Sequence, residues 1–235
     1  NPNNFLRDIS KIIDKKSGIF LLEHADLYSI IKHNLFDTIC HEHLTYYSSK
    51  IIINMAKRNN LRIIDIERND INGGSTRFYF SHNDSLYKEK KEKISNFLKV
   101  EKKTKLENSD TFKKFFQKIL RLKTSLNKSI DRIIENKKII HGYGASTKGN
   151  VLLQFYGIGR KKINFIADRN IEKNHHFTPG TKIKIITEKK SRSLRPDYYL
   201  VLPWHFKKEI LKREKSLLKN NVKFIFPLPE VKIIK

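Results

Sequence analysis

Between Phe36 and Ser48 the chain reads Phe-Asp-Thr-Ile-Cys-His-Glu-His-Leu-Thr-Tyr-Tyr-Ser. Two imidazoles, acidic side chains, a thiol and two phenols fall within thirteen residues, in a chain with only nine His. Imidazole beside carboxylate is the pairing that moves protons near neutral pH. His41-Glu42-His43 is not the zinc-hydrolase pattern, in which two His four positions apart share one helix face. An extended His-x-His can chelate, but no third ligand accompanies it, so no metal is expected. The trio alone is compatible with a plain loop, one His buried and the other solvated. Asp37, Cys40, Tyr46 and Tyr47 beside it argue for a reactive site, because a core does not gather so many titratable groups.

A second dense stretch is His141-Gly-Tyr-Gly-Ala-Ser-Thr-Lys-Gly-Asn150. Gly142 and Gly144 supply the first two glycines of a dinucleotide fingerprint, but Thr147 stands at the third. Gly144 and Gly149 have P-loop spacing, yet Asn150 occupies the Lys position. What remains is a strand-to-helix turn whose amides favour an anion, with Ser146 and Lys148 adding a donor and a positive charge. A tight turn with no ligand is the alternative. Asp168 closes the next predicted strand, where an acid accepts from a ribose or caps the following turn, and Arg169 offers a phosphate partner. Asn72-Gly-Gly-Ser75 before Arg77 reads as a hairpin turn or a ligand-facing loop. The single Trp, Trp204, follows another predicted strand and either meets a ligand or covers the core. The first stretch would do the chemistry and the second hold a phosphorylated substrate.

These residues need positioning elements, and the apolar pattern supplies them. A helix is predicted over 4–16, a buried strand over Gly18–Glu23 and a helix over 25–33. The Phe36–Ser48 stretch is a loop leading into a helix over about 47–59, followed by strands over 61–66 and 75–80. Residues 86–136 are rich in Lys and Glu and free of Gly and Pro, and carry Phe112, Phe115, Ile119, Leu122, Leu126 and Ile130 at helical spacing. From Lys138 the rhythm becomes βαβ: strand 139–141, helix 147–156, strand 162–167, then strands over 182–186, 198–202 and 222–226 and a helix over about 206–218. The expected organisation is three segments, 1–85, 86–136 as a helical connector and 137–235 as a Rossmann-like lobe, in the α/β class.

Composition narrows the classes. The chain has 235 residues, 38% hydrophobic, which suffices for a core. Cys40 is the only cysteine, which rules out a disulfide framework and fits a reducing cytoplasm. No apolar run reaches the ~18 residues of a membrane span. The net charge of +25 attracts polyanions. Its Lys are scattered and interleaved with Glu, which reads as solvated helix faces more than as a nucleic-acid footprint. The chain opens at Asn1 within an amphipathic pattern, so a preceding portion is expected.

Taken in order, Phe36–Leu44, Asn72–Arg77, Gly142–Asn150, Asp168-Arg-Asn170, Pro179-Gly-Thr181 and Leu202-Pro-Trp204 resemble the carboxy-terminal part of the S-adenosylmethionine-dependent C-methyltransferases of nucleotide-linked keto-deoxysugars. The resemblance spans nearly the whole chain. It implies that residues 1–85 end a truncated Rossmann methyltransferase domain, with a helical connector and a second Rossmann-like lobe after it. It implies zinc only in a missing amino-terminal domain, and an S-adenosylmethionine site only partly present. It also implies a mechanism in which a base removes the proton next to a sugar ketone and the enolate takes a methyl group. His43 matches the base and Glu42 its neighbour. Cys40 replaces a usual Tyr, a weaker donor toward the enolate oxygen; Tyr46 is the candidate substitute. Asn72, Gly73, Arg77, Gly142, Tyr143, Gly144, Ser146, Lys148 and Asp168 are the expected substrate contacts. The competing readings are a nicotinamide-dependent sugar oxidoreductase and a basic nucleic-acid-binding module. The sugar, the carbon methylated and the oligomeric state are not legible.

Overall fold

The computed structural model describes residues 1–235 and divides them into two compact units. One holds Asn1–His33 and Thr45–Phe115; the other holds Asn34–Leu44 and Phe116–Lys235. These divisions differ from the compositional ones at 85 and 136: the break falls inside a long helix, and the Asn34–Leu44 loop groups with the carboxy-terminal unit.

In the first unit, α1 (Pro2–Ile12) starts where Asn1 accepts from the Asn3 amide and Pro2 takes an early position that needs no N–H. Asp14 then receives the amides of Lys16 and Ser17, which turns the chain into β1 (Ile19–His24). After α2 (Leu27–His33) and α3 (Ser49–Arg58) come β2 (Leu61–Asn69) and β3 (Ser75–His82). The sheet order is β1-β3-β2, with β3 antiparallel to both neighbours. β1 was expected to be buried. It is an edge strand with only one face on the core: Phe20 and Leu22 pack inward, and the alternating Ile19 and Leu21 stay exposed. Leu6, Ile52, Ala56, Leu61, Ile66, Phe78 and Phe80 form the core. Burying each large side chain contributes about 1.5–3 kcal/mol.

Charge in this unit is handled by pairing. The Arg68 guanidinium lies between the rings of Tyr28 and Phe97, at 3.9 and 4.1 Å from their centroids. It faces buried Asp26 and Glu101, each at 3.9 Å. Glu101, on α4 (Lys91–Lys102), also accepts from the Ser49 amide at the start of α3, where a carboxylate complements the helix dipole.

α5 (Ser109–Glu135) continues into the second unit, where Ile119, Leu126, Ile130 and Ile133 make its buried stripe. There follow β4 (Ile140–Tyr143), α6 (Thr147–Tyr156), β5 (Phe165–Asp168), β6 (Lys184–Thr187), α7 (Glu188–Ser193), β7 (Tyr198–Val201), α8 (Lys207–Arg213), α9 (Lys215–Lys219), β8 (Lys223–Phe226) and β9 (Lys232–Ile234). The six-stranded sheet runs β6-β5-β4-β7-β8-β9, parallel except for β9. That is the doubly wound order, with its switch point between β4 and β7. Parallel strands covered on both faces are continuously apolar, as in Phe224, Ile225 and Phe226. The helix expected over 206–218 is broken in two at Glu214, whose buried carboxylate accepts from Tyr143, Arg192 and Arg213. No helix is long and apolar enough to cross a membrane.

Candidate active site

The Phe36–His43 loop enters as a 3-10 turn, Phe36–Thr38. Leu35, Phe36, Asp37 and Thr38 are buried, whereas Ile39 and the residues 41–44 are exposed. The Phe36 ring packs on Phe155 and Tyr156 of α6, with centroids 5.3 and 5.0 Å away. Asp37 is fully buried, and its Oδ2 accepts from the Trp204 indole N–H at 2.7 Å. Burial pushes the Asp37 carboxyl above its ordinary value; the Trp204 hydrogen bond and the Lys148 charge act against that rise.

The exposed limb closes as a turn in which the His43 amide donates to the Cys40 carbonyl at 3.1 Å. The same turn brings His43 Nδ1 to 2.8 Å from the Thr38 carbonyl. A carbonyl only accepts, so in the neutral ring Nδ1 carries the proton and Nε2 holds the basic lone pair. Glu42 is exposed, with one carboxylate oxygen 4.0 Å from His41 Nε2. No group of three or more His, Cys, Asp or Glu gathers where it could hold a metal ion.

The glycine stretch lies in the same unit. Ser146 caps α6 by accepting from the Gly149 amide at 3.0 Å, and Gly157 ends that helix in the left-handed region. Lys148 points toward the loop: burial lowers its ammonium from the ordinary value, while Asp37 and Cys40 pull it back up. Two stretches about a hundred residues apart in sequence are thereby brought together. The glycines themselves face protein. A Cβ on Gly142 would sit 2.7 Å from Ile166, one on Gly144 2.7 Å from Pro203 and one on Gly149 2.7 Å from Leu202. Asp168 accepts from the amides of Ala145 at 2.6 Å and Asn170 at 2.8 Å, so its carboxylate holds the two loops together. Tyr143 turns its hydroxyl onto Glu214 at 2.8 Å, where burial pushes its ionisation well up.

At the carboxyl ends of β4, β5 and β7 a cleft of about 400 Å³ opens, lined by Tyr143, Gly144, Asp168, Arg169, Pro203 and Arg213, among others. Its position at the switch point is where doubly wound sheets receive ligands.

The other expected contacts belong to the amino-terminal unit. Arg77 is paired across the β1–β3 register with Glu23, donating to one carboxylate oxygen at 2.8 Å. Asn72 and Gly73 take positive φ in a turn that continues through Gly74, which packs on Ser29. Tyr46 is half-buried in that unit. The structure thus gathers Cys40, Glu42, His43, Gly142, Tyr143, Gly144, Ser146, Lys148 and Asp168 in one unit and Tyr46, Asn72, Gly73 and Arg77 in the other. Sequence reasoning did not find the roles of the Thr38 carbonyl or of Trp204 as a partner for Asp37. The only available signal was that the sole Trp follows a strand end.

A family model described as the C-methyltransferase C-terminal domain matches residues 70–229. The chain is similar to the C-methyltransferase NovU of Streptomyces niveus, 31% identical over 217 residues, covering 92% of this chain and 51% of NovU. The chain therefore spans about half the length of that curated relative. With the match extending over most of the second unit, this chain belongs to the C-methyltransferase family and carries its C-terminal domain.

Proposed function

We propose that the protein methylates a carbon next to the ketone of a nucleotide-linked sugar, with His43 as the general base. The observation that carries this is the His43 Nδ1 contact to the Thr38 carbonyl. It directs the ring's lone pair to Nε2, on an exposed limb that a substrate can reach. Nε2 takes the proton from the carbon, and the electron pair moves onto the ketone oxygen as an enolate. The imidazolium that forms keeps its Nδ1–H bond to Thr38, which strengthens as the donor becomes charged. Glu42 accompanies the base on the same exposed limb, its carboxylate 4.0 Å from His41 Nε2. Cys40, near the Lys148 ammonium, stands where the enolate oxygen needs a donor. The cleft between β4 and β7 holds the nucleotide, with Arg169 at its rim for the phosphates.

The reaction calls for S-adenosylmethionine. Its adenosine finds no complete glycine fingerprint in this chain: the strand–glycine–helix element β4–α6 has Thr147 where the third glycine would stand. We assign the donor's site to the half of the relative's length that this chain does not span. The same missing glycine weakens the nicotinamide reading.

The full-length protein tests the proposal without its methyl donor. Given a nucleotide-linked ketosugar in deuterated water, it should catalyse deuterium uptake at the carbon beside the ketone. His43→Asn should lower that rate by about 10²–10⁴-fold, the range of a lost general base. Uptake and methyl transfer that survive the substitution would overturn the assignment.

A further inference from the structure

The loop that presents His43 is held by an unusual device. We propose that Asp37 is a positioning residue: its buried carboxylate, latched onto the Trp204 indole N–H, fixes the Thr38 carbonyl that in turn fixes the tautomer and aim of His43. The proposal rests on the reading of His43 as the base.

Four observations support it. Asp37 has no exposed surface, and its Oδ2 meets Trp204 Nε1 at 2.7 Å. Burying a carboxylate costs several kcal/mol in general and is out of proportion to mere packing, which Leu would perform without that cost. A hydrogen bond has direction, so it sets where the loop sits more sharply than apolar contact does. Second, Asp37 precedes Thr38 in a single 3-10 turn, so the latch and the carbonyl that receives His43 Nδ1 are covalent neighbours. Third, Trp204 is itself fixed: 6% exposed, it begins the 3-10 turn directly after β7 and Leu202-Pro203, whose side chains pack on Gly149 and Gly144. The latch thus ties the loop to the end of β7, an interior strand of the sheet. Fourth, the second carboxylate oxygen, Oδ1, is buried without a hydrogen-bond partner, as is the hydroxyl of Tyr156. The neighbourhood was not assembled to satisfy every polar atom. The directed Trp204 bond is retained at a cost, with the backbone amides of Asp37 and Thr38 also acting on the carboxylate, and His43 lies five residues beyond Thr38.

Trp204 is the only Trp, so its indole N–H gives one proton NMR signal for the latch. Trp204→Phe keeps an aromatic side chain but removes the donor along with part of the indole, and Asp37→Ala removes the acceptor; Asp37→Asn keeps an acceptor oxygen and so separates loss of the bond from loss of volume. In the full-length protein, ¹⁵N shifts of the His43 ring should show the Nδ1–H form in the unaltered protein. They should show a mixture of tautomers in Trp204→Phe and Asp37→Ala. The deuterium uptake rate should fall on the order of tenfold or more in both, through kcat with KM held, as expected for a misplaced but intact base. Asp37→Asn should restore most of the tautomer and the rate. If Trp204→Phe and Asp37→Ala, each checked as folded by its urea unfolding transition, keep the His43 tautomer and the uptake rate, the proposal is overturned. His43→Asn tells the two readings apart. If it leaves uptake unchanged, the base assignment fails. The tautomer shift is read independently and still decides whether the latch positions the ring.

Discussion

The Phe36–His43 stretch is built to two opposite specifications. Its first part is a buried foot, in which Phe36 and Asp37 lie against α6 and Trp204. Its second part is an exposed limb, in which His41, Glu42 and Leu44 face solvent. The foot has many partners and no access; the limb has access and few partners. Neither half would serve alone. A base on a limb without a foot would sample many orientations, and a base in the foot would be sealed from substrate. In the proposed mechanism, position and reactivity fall to different residues a few positions apart.

Substitutions should separate the halves. Phe36→Ala removes a ring buried to 5% exposure beside Phe155 and Tyr156, and should destabilise the protein by about 3–5 kcal/mol in urea unfolding. A cost under about 1 kcal/mol would mean that the foot is not packed as described.

The second test uses the sheet behind the foot. His141, on β4, is buried with its Nδ1 at 2.8 Å from Ser191 Oγ, and burial holds it down to about 4. The unfolded chain takes up a proton near the ordinary value of 6.5, while the folded one refuses it. Stability from this group is therefore full above about 6.5 and lost as pH falls toward 4, on the order of 3 kcal/mol in all. Urea midpoints should drop across that window, and His141→Gln should flatten the drop. An identical profile for the variant would remove His141 as the cause.

The smallest effect belongs to the limb. Leu44 is 91% exposed, so Leu44→Ser should shift stability by less than about 0.5 kcal/mol. A larger loss, seen as a lowered Tm, would give the limb a packing role that the foot was thought to monopolise.

Sequence pattern made much of this fold readable, and its failures have physical causes. α6 was legible to the residue because Ser146 caps its start and Gly157 its end. β1 was misjudged as buried because a short apolar run looks the same on a sheet edge as in its middle. α7 was not foreseen: its Glu-Lys-Lys-Ser-Arg-Ser sequence has no apolar stripe, and only Ser191 is buried. β9 was not foreseen either, since three residues give no alternation to read. In the site, the residue types stood out, but their division of labour did not. Asp37 read as one more titratable neighbour of His43, because sequence shows an acid and not its burial. Thr38 acts through its backbone carbonyl, which every residue has. Lys148 and Cys40 carried no mark of their proximity.

The Asp37–Trp204 hydrogen bond joins residues 167 positions apart. Seen as an event in time, this separation gives the loop a history. A chain leaving the ribosome at about 5–20 residues per second exposes Asp37 roughly 8 to 33 seconds before Trp204 exists. For most of that interval the foot has no socket, since α6 begins at Thr147, and the Trp204 donor arrives only after β7 has been made. Long-range closure of this kind comes late in folding. The nascent protein therefore carries this turn unlatched, and the Asp37–Trp204 bond is among the last contacts the loop can make.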